Sequence, residues 1–428
     1  MKPNEPTPHD RGPLIALATS WAEGESSVPL TAMNPNPRLA RFLVEAGAFE
    51  EPYYLIDVGA SGGLEDHWGE FGDSLVADGF DPLVAEVARL SQIALPHVHY
   101  WCAFVGDGEG ESKSVGDTRG SSNSQFAFTT AAKFGELTDR DYVAEVFNSG
   151  SEVEYSQVNL TLDEFVADND RPIPAFVKID TDGSDIEVIR GAKKLLSSSS
   201  CIGLQVECQF HGVSGSRANT FANIDLLLRE LGYTLIDIDI WRYSRHELPL
   251  PFHYEIPAQT DGGGVQWGEA LYLRDPTTSR ENMAAVRQSP VTLASLLATA
   301  DLYGAVDFAA SVLVNVMDQS ESIAWLNPSV LDLVVPPNPW GFESYEEYFR
   351  QFTDDPSSFF PSRIAAVEAS AELETVRLER APDGTEIERR AEAELRALQQ
   401  TLTFRVRRRL LELPGVRRMI STLRHRSV

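Results

Sequence analysis

Residues 53–63 read YYLIDVGASGG, and the expected fold can be built outward from this stretch. Its first six residues combine aromatic and branched apolar side chains with one acid, Asp57, which is typical of a buried strand in a parallel sheet. A glycine-rich turn follows at once, and such a turn lets the backbone approach a nucleotide-like ligand closely. By itself the stretch also fits a strand and turn with only a structural role.

The spacing beyond this turn narrows the choice of ligand. Ser61 stands where the dinucleotide pattern G-x-G-x-x-G requires its second glycine, which argues against a dinucleotide. Asp81 follows Gly59 by 22 positions, at the end of a second predicted strand over 75–80. A carboxylate there can accept hydrogen bonds from both hydroxyls of a ribose. The alternative is an Asp-Pro turn that caps the next helix.

The remaining hydrophobic pattern predicts a doubly wound α/β domain. A short helix over 38–48 leads into the first strand, and helices separate most of the early strands. Capping boxes are predicted at Thr161–Glu164 and at Ser184–Glu187. The seven predicted strands cover residues 53–58, 75–80, 98–105, 176–180, 202–210, 233–240 and 269–273.

Charged residues enter the fourth of these strands. Lys178 and Asp180 alternate onto one side of it, and charges rarely enter a central strand without a partner or a function. Asp182 and Asp185 follow, so an acidic cluster is expected at the carboxyl end of the strand, where ligands bind in open α/β sheets. A simple Asp180–Lys178 ion pair is the structural alternative.

The composition limits the classes of partner. The chain has 428 residues, a net charge of −28 and only three cysteines. An acidic surface repels phosphate backbones, which argues against nucleic acid as a substrate. Scattered cysteines imply no disulfide framework, and the N-terminus lacks the pattern of a signal peptide. No apolar run approaches the length of a membrane span, so we expect a cytoplasmic protein with the option of peripheral contact at the inner face of a membrane.

The C-terminal part has a different character. Residues 403–428 contain eight arginines and one glutamate, and an apolar stripe runs from Leu395 to Leu413 at spacings of three and four. Such a basic amphipathic helix can lie on an anionic membrane, or it can dock on the acidic body or on a second subunit of a homodimer. The predicted divisions are a flexible segment over 1–36, a catalytic domain over 37–276, a helical extension over 277–361 and a charged helix with a basic tail over 362–428.

Several motifs in the same order as in a known family make the chain resemble the FkbM methyltransferases, which depend on S-adenosylmethionine (SAM). The resemblance covers roughly residues 53–275. Ala175 departs from the family pattern, which commonly has an aspartate there. The motifs are LIDVGASGG, GFDP, the loop ending SSNSQF, VNLTLDEF, FVKIDTDGSDIEVIRGA, LQVECQF, LLLRELGY and WGEALYLRD.

The resemblance implies a Rossmann-like, seven-stranded class I methyltransferase domain with an antiparallel last strand, followed by a mostly helical C-terminal region. It also implies O-methylation of a sugar, a glycan or a lipid-linked saccharide, as in polysaccharide biosynthesis. Asp81 would then hold the SAM ribose, and Gly106 and Asp107 would lie near the adenine. The residues that would line the methionine portion are Asp57, Gly59, Ala60 and Gly62.

A hydroxyl acceptor must lose a proton, which requires a base or a metal. Four candidates end strands: Asp180, Asp182, Glu207 and His211. His211 is the first choice, because imidazoles take up protons near neutral pH. Asp180 and Glu207 could instead share a divalent cation, although carboxylates alone specify one weakly. The competing hypotheses are a scaffold protein whose methyltransferase fold has lost catalysis and a nucleotide-dependent dehydrogenase, which the failed glycine pattern disfavours.

Overall fold

A seven-stranded sheet organises the computed structural model, with strand order β3-β2-β1-β6-β7-β9-β8. β9 pairs antiparallel with both β7 and β8, whereas the pairs among β1, β2, β3, β6 and β7 are parallel. The predicted fold class and its antiparallel last strand are therefore confirmed. The strands of this sheet are β1 Tyr53–Val58, β2 Leu75–Asp81, β3 Val98–Cys102, β6 Phe176–Ile179, β7 Gly203–Gln209, β8 Thr234–Tyr243 and β9 Gly264–Leu273. Two short strands, β4 Phe104–Val105 and β5 Asn159–Leu160, pair separately.

The structure describes residues 33–108, 129–130, 154–181, 183–212, 215–253, 258–317, 323–365 and 367. The loop ending SSNSQF, Asp182, the amphipathic stripe and nearly all of the flexible segment predicted over 1–36 lie outside these ranges. Among the described helices, none has both the length and the apolar character needed to cross a membrane.

The strand order reverses between β1 and β6, and because these two strands are parallel, their carboxyl ends lie at one edge of the sheet. Ligands of open α/β sheets bind at such a switch point, beyond the carboxyl ends of the strands. The α-helices are α1 Arg38–Glu45, α2 Val84–Ile93, α3 Leu162–Asp168, α4 Asp185–Gly191, α5 Lys193–Leu196, α6 Phe221–Glu230, α7 Arg280–Gln288, α8 Pro290–Leu302, α9 Val306–Met317 and α10 Tyr345–Asp354. Short 3₁₀ helices cover Asp66–Ser74, Pro276–Thr278, Pro328–Val334 and Pro356–Phe359.

One of the two predicted capping boxes is present. Thr161 accepts from the backbone N–H of Glu164 at 3.1 Å, and the Glu164 carboxylate accepts from the backbone of Thr161 at 3.3 Å. The box predicted at Ser184 is wrong, because the Ser184 side chain makes no capping hydrogen bond to α4. Asp185 instead turns back and accepts from the backbone N–H of Thr181 at 2.8 Å, which fixes the loop before the helix.

Two apolar clusters cover the two faces of the sheet. One face packs mainly against α3, α4, α5 and α6. The other packs against α1, the 66–74 helix, α8, α9 and the 328–334 helix, and its cluster includes Tyr53, Phe176 and Leu271 from the sheet. The helices α7, α8 and α9 and the 328–334 helix thus share a core with the predicted catalytic domain. α8 is buried from Leu293 to Leu302, as expected of a helix that is apolar all round.

The chain divides into two compact units. The first contains residues 1–336 and 343–345, and the second contains residues 337–342 and 346–428. Within the second unit, aromatic rings cluster around Trp340, which lies 4.7 Å from Phe359 and 6.1 Å from Phe342 between ring centroids. The domain limits inferred from the sequence stay predictions.

Candidate active site

The glycine turn after β1 is wedged between the ends of two neighbouring strands. Gly59 has φ +87°, and its N–H donates to the carbonyl of Phe80 at 2.9 Å. A Cβ at this position would lie 1.6 Å from the backbone oxygen of Asp180. Only glycine fits this backbone contact, because any side chain would displace the end of β6. Ala60 is also buried and donates to Phe80 at 3.0 Å.

The tip of the turn is open where a ligand would approach. Gly62 has φ +90°, and a Cβ there would meet no atom within 4 Å. Its N–H donates to the Glu86 carboxylate at 2.8 Å, and Glu86 in turn pairs with Arg89 at 2.6 Å. The turn is therefore held from behind by α2, with Glu86 as the supporting residue. Sequence reasoning missed Glu86, since an acid in the first turn of a helix is common.

Asp57 is a buried acid beside this turn, with 2% of its surface exposed. Its Oδ1 makes no hydrogen bond within the described part of the chain, and the Nζ of Lys178 is 3.8 Å away. Burial raises the pKa of Asp57 to about 6, against the opposing effect of the Lys178 charge. A buried carboxylate oxygen without a donor is costly, so Asp57 is suited to receive one from a ligand.

Lys178 is the cation at the centre of the site. Its Nζ lies 3.5 Å from Asp180 Oδ2 and 3.8 Å from Glu65 Oε1, in addition to Asp57. Burial lowers the pKa of Lys178, but the surrounding carboxylates, Asp57 first, raise it more, so the ammonium stays protonated. Lys178 and Asp180 do lie on one side, and the ion pair that was the structural alternative is present. Glu65 joins them from the sequence just before the 66–74 helix, which no pattern indicated.

A second polar group lies across β7 and β9 on the same face of the sheet. Glu269 is paired in register with Glu207, and it accepts a hydrogen bond from the side-chain amide of Gln205. The Gln205 carbonyl accepts from the Tyr303 hydroxyl at 2.6 Å. Burial, reinforced by the charge of Asp180, raises the pKa of Glu269 to about 8.

These residues border a cleft on the face of β7, β8 and β9, where Tyr303 at the end of α8 meets the sheet. Gln205 and Glu269 line it together with Asp237 and Asp239. Sequence reasoning missed Gln205 and Glu269, although polar residues inside the apolar runs LQVECQF and WGEALYLRD were a usable signal. Tyr303 had no signal, because it comes from a helix distant in sequence.

Asp81 ends β2 and is buried. One of its carboxylate oxygens accepts from the N–H of Leu83 at 2.7 Å, which is the turn contact that the structural alternative for this residue predicted. The ribose-binding role of Asp81 stays a prediction. The structure places Asp81 at the same edge of the sheet as Asp57, one strand away.

Gly106 and Asp107 follow β4. The N–H of Gly106 donates to the Leu160 carbonyl at 3.0 Å, and Asp107 forms an ion pair with Arg217. A Cβ at Gly191 would lie 1.9 Å from the Gly106 oxygen, so α4 packs closely on this segment. Their predicted contact with adenine is not tested by these contacts.

The residues proposed as general bases differ in exposure and in hydrogen bonding. His211 is exposed, and its Nε2 lies 2.7 Å from the carbonyl oxygen of Val265. That nitrogen must donate in this contact, which leaves only Nδ1 able to accept a proton. Glu207 is buried on β7. Within the described ranges, no group of three or more His, Cys, Asp or Glu side chains is placed to hold a metal ion.

Asp185 is buried, and its carboxylate is fully occupied in shaping the loop after β6. It accepts from the Thr181 hydroxyl at 2.9 Å and from the Asn219 amide at 2.7 Å. Burial raises its pKa to about 7 despite these bonds. It therefore supports the site rather than pointing into it.

Comparison with known proteins decides the family. Residues 79–235 match the family model of the methyltransferase FkbM domain. This part of the chain is an FkbM methyltransferase domain. The matched range runs from β2 to the start of β8, and the strands of the outlying motifs, β1 and β9, complete its sheet.

Two further comparisons add little to the FkbM assignment. A comparison with curated proteins found no match. Among solved structures, the 1,6-didemethyltoxoflavin-N1-methyltransferase of Burkholderia thailandensis, with bound 1,6-didemethyltoxoflavin and S-adenosylhomocysteine, aligns at 12% identity over 64% of this chain and 93% of its own. The TM-score is 0.25. The fold assignment of the FkbM domain rests instead on its own strand order.

Proposed function

We propose that this protein is a SAM-dependent methyltransferase that methylates a hydroxyl of a sugar, a glycan or a lipid-linked saccharide. The observation that carries the proposal is the open glycine turn at the switch point of the sheet, with the buried Oδ1 of Asp57 beside it. The FkbM domain over residues 79–235 supports methyl transfer as the reaction class.

The residues at this edge fit SAM in their chemistry. Asp57 offers the donor groups of the methionine portion a carboxylate oxygen that makes no hydrogen bond within the described residues, and the backbone at Gly62 borders open space. Asp81, one strand away, would accept from the ribose hydroxyls. Gly106 and Asp107 would border the adenine.

The chain has two tasks in such a transfer. Bound SAM supplies a methyl group on a sulfonium, which is already a good leaving group. The protein must hold the acceptor oxygen in line with that methyl group and must take the proton of the hydroxyl. The carboxylates around Lys178 balance its positive charge on the donor side. The small cleft bordered by Glu269 and Tyr303 has room for one acceptor hydroxyl beside the Glu269 carboxylate.

Binding measurements test the donor half of this proposal. Calorimetric titration of the full chain should show micromolar affinity for SAM and for its demethylated product, and no affinity for NAD. Asp57→Ala and Asp81→Ala should each weaken SAM by about tenfold or more, since each removes charge-assisted hydrogen bonds. Asp168→Ala, an exposed acid on α3, is the control. No binding of any of the three ligands would favour a scaffold protein.

Product analysis tests the acceptor half. The protein with SAM is incubated with methyl glycosides, a catechol and a primary amine, and methylated products are identified by mass spectrometry. Methyl ethers of the glycosides are expected. Methylation of the amine or the catechol alone would show that the acceptor is not a sugar hydroxyl, and it would still support methyl transfer from SAM.

A further inference from the structure

We propose that the cleft on the face of β7, β8 and β9, which has room for one hydroxyl-sized group, receives the acceptor hydroxyl. Glu269 takes the proton of that hydroxyl, with Gln205 and Tyr303 as its positioning residues. This inference rests on the proposed function, because it names the acceptor half of the same site. The cleft is lined by Glu269, Gln205 and Tyr303 together with two acids of β8.

The directions of the hydrogen bonds indicate which carboxylate oxygen of Glu269 can accept a proton. A tyrosine hydroxyl donates to the Gln205 carbonyl at 2.6 Å, and the Gln205 amide donates to Oε2 of Glu269. Oε2 is therefore occupied as an acceptor, and Oε1 makes no hydrogen bond within the described ranges. Oε1 is the atom left to receive a proton.

Glu269 also lies in the electrostatic cluster of the donor side. Burial and the nearby Asp180 raise its pKa to about 8, so its affinity for a proton is high for a carboxylate. A base is most effective when its pKa lies near the working pH. The titratable groups around it are Lys178 on β6, Asp180 directly after β6, Glu65 before the 66–74 helix, Glu207 on β7, Asp237 and Asp239 on β8 and Tyr303 after α8.

The position of His211 strengthens the case for Glu269. The imidazole is exposed at the end of β7, and its Nε2 is committed to the Val265 carbonyl. Glu269, with 5% of its surface exposed, lines the cleft and is held by Gln205, which Tyr303 holds in turn. A carboxylate that is already fixed and desolvated loses less conformational freedom on binding an acceptor than an exposed side chain does.

The transfer conserves atoms and electrons. The O–H bond of the acceptor breaks, and its proton passes to Oε1 of Glu269. The acceptor oxygen uses the freed electron pair to bond the methyl carbon of SAM. The carbon–sulfur bond breaks with its pair going to sulfur, which gives S-adenosylhomocysteine. Glu269 then returns the proton to solvent through the cleft.

Carboxyl titration tests the proposal without any acceptor. The full chain is labelled with ¹³C at glutamate Cδ and titrated by NMR with S-adenosylhomocysteine present, and Glu269→Gln identifies the signal. We expect a midpoint far above that of a free glutamate. Tyr303→Phe should raise the midpoint further by about half a unit or more, because the lost hydroxyl no longer polarises the amide that stabilises the carboxylate. Tyr272→Phe, a buried tyrosine that contacts Asp225 on the other face, should leave it unchanged. An ordinary midpoint, or one that Tyr303→Phe does not move, overturns the proposal.

Single-turnover methylation of a methyl glycoside gives the second readout. Glu269→Gln should lower the rate by about 100-fold or more, with SAM affinity within twofold, and should abolish the rise of rate with pH. Glu230→Gln, an exposed glutamate on α6, is the control. An unchanged rate in Glu269→Gln overturns this inference alone, whereas a wild-type protein that binds no SAM overturns the proposed function.

Discussion

At the scale of single residues, three groups of the site are constrained for different reasons. At Gly59 a side chain would strike the backbone of Asp180. Asp57 has a buried carboxylate oxygen without a hydrogen-bond donor among the described residues, and Lys178 balances the charge of the carboxylates around it. The glycine and the aspartate could be predicted from YYLIDVGASGG, because strand and turn chemistry are local. Glu269 and Tyr303 could not, because their importance comes from contacts between distant segments.

Alanine substitutions at Gly59 and Gly62 distinguish the cost of a steric clash from the cost of a positive φ. Both Gly59 and Gly62 have positive φ, but only Gly59 would bring a Cβ against backbone atoms. Gly62→Ala should cost about 1 kcal/mol in the free energy of unfolding, measured by urea denaturation without SAM. Gly59→Ala should cost at least about 2 kcal/mol more. Equal losses would show that the end of β6 yields to the new methyl group.

The raised pKa of Glu269 predicts how stability depends on pH. Folding holds the proton more tightly than the unfolded chain does, so the contribution is fully present below pH 4.5 and is lost as pH rises through about 8. Glu269→Gln should therefore flatten the fall in melting temperature between those limits, because its amide needs no proton. Melting temperatures by circular dichroism from pH 5 to 9 provide the measurement. A variant with the same slope as the wild type would contradict the raised pKa.

At the scale of elements, local signals decided where helices begin in some places and not in others. The capping box at Thr161 forms because both of its side chains reach the backbone of α3. At α4 the same sequence pattern fails, because the Asp185 side chain turns back to Thr181 and Asn219 instead. Tertiary contacts thus overrode a local pattern that was equally strong in the sequence.

The two predicted capping boxes can be compared by a matched pair of alanine substitutions. Thr161→Ala should lower the free energy of unfolding by about 1 kcal/mol, since it removes a capping hydrogen bond. Ser184→Ala should change it by less than about 0.5 kcal/mol, because that side chain makes no such bond. Urea denaturation of both variants measures the difference. A larger loss at Ser184 would show that its hydroxyl caps α4 in solution.

At the scale of the whole molecule, the apolar core of the sheet continues into helices that follow the family motifs. α8 and α9 bury their apolar residues against the same face of the sheet that carries Lys178 and Gln205. Asp301 of α8 also accepts from the first backbone N–H groups of α1, at 2.8 and 3.0 Å from Leu39 and Ala40. The helices between residues 280 and 334 therefore belong to the core, and the end of α8 supplies Tyr303 to the cleft.

Truncation tests this conclusion directly. A chain ending at residue 336 should keep a cooperative thermal transition and bind SAM as the full chain does. A chain ending at residue 276 should lose the cooperative transition, because the apolar surface of the sheet would be exposed to water. Calorimetry of the two proteins provides the comparison. A cooperative transition in the shorter chain would support the boundary predicted from the sequence.

The sequence by itself determined the class of fold, and it predicted which residues would form the donor half of the site. Hydrophobic periodicity, glycine placement and the acids at strand ends are local properties, so they can be predicted from neighbouring residues. Only the tertiary structure brought together the residues of the proposed acceptor half. The Tyr303–Gln205–Glu269 chain joins α8, β7 and β9, and its hydrogen bonds and pKa arise from burial that no single segment possesses.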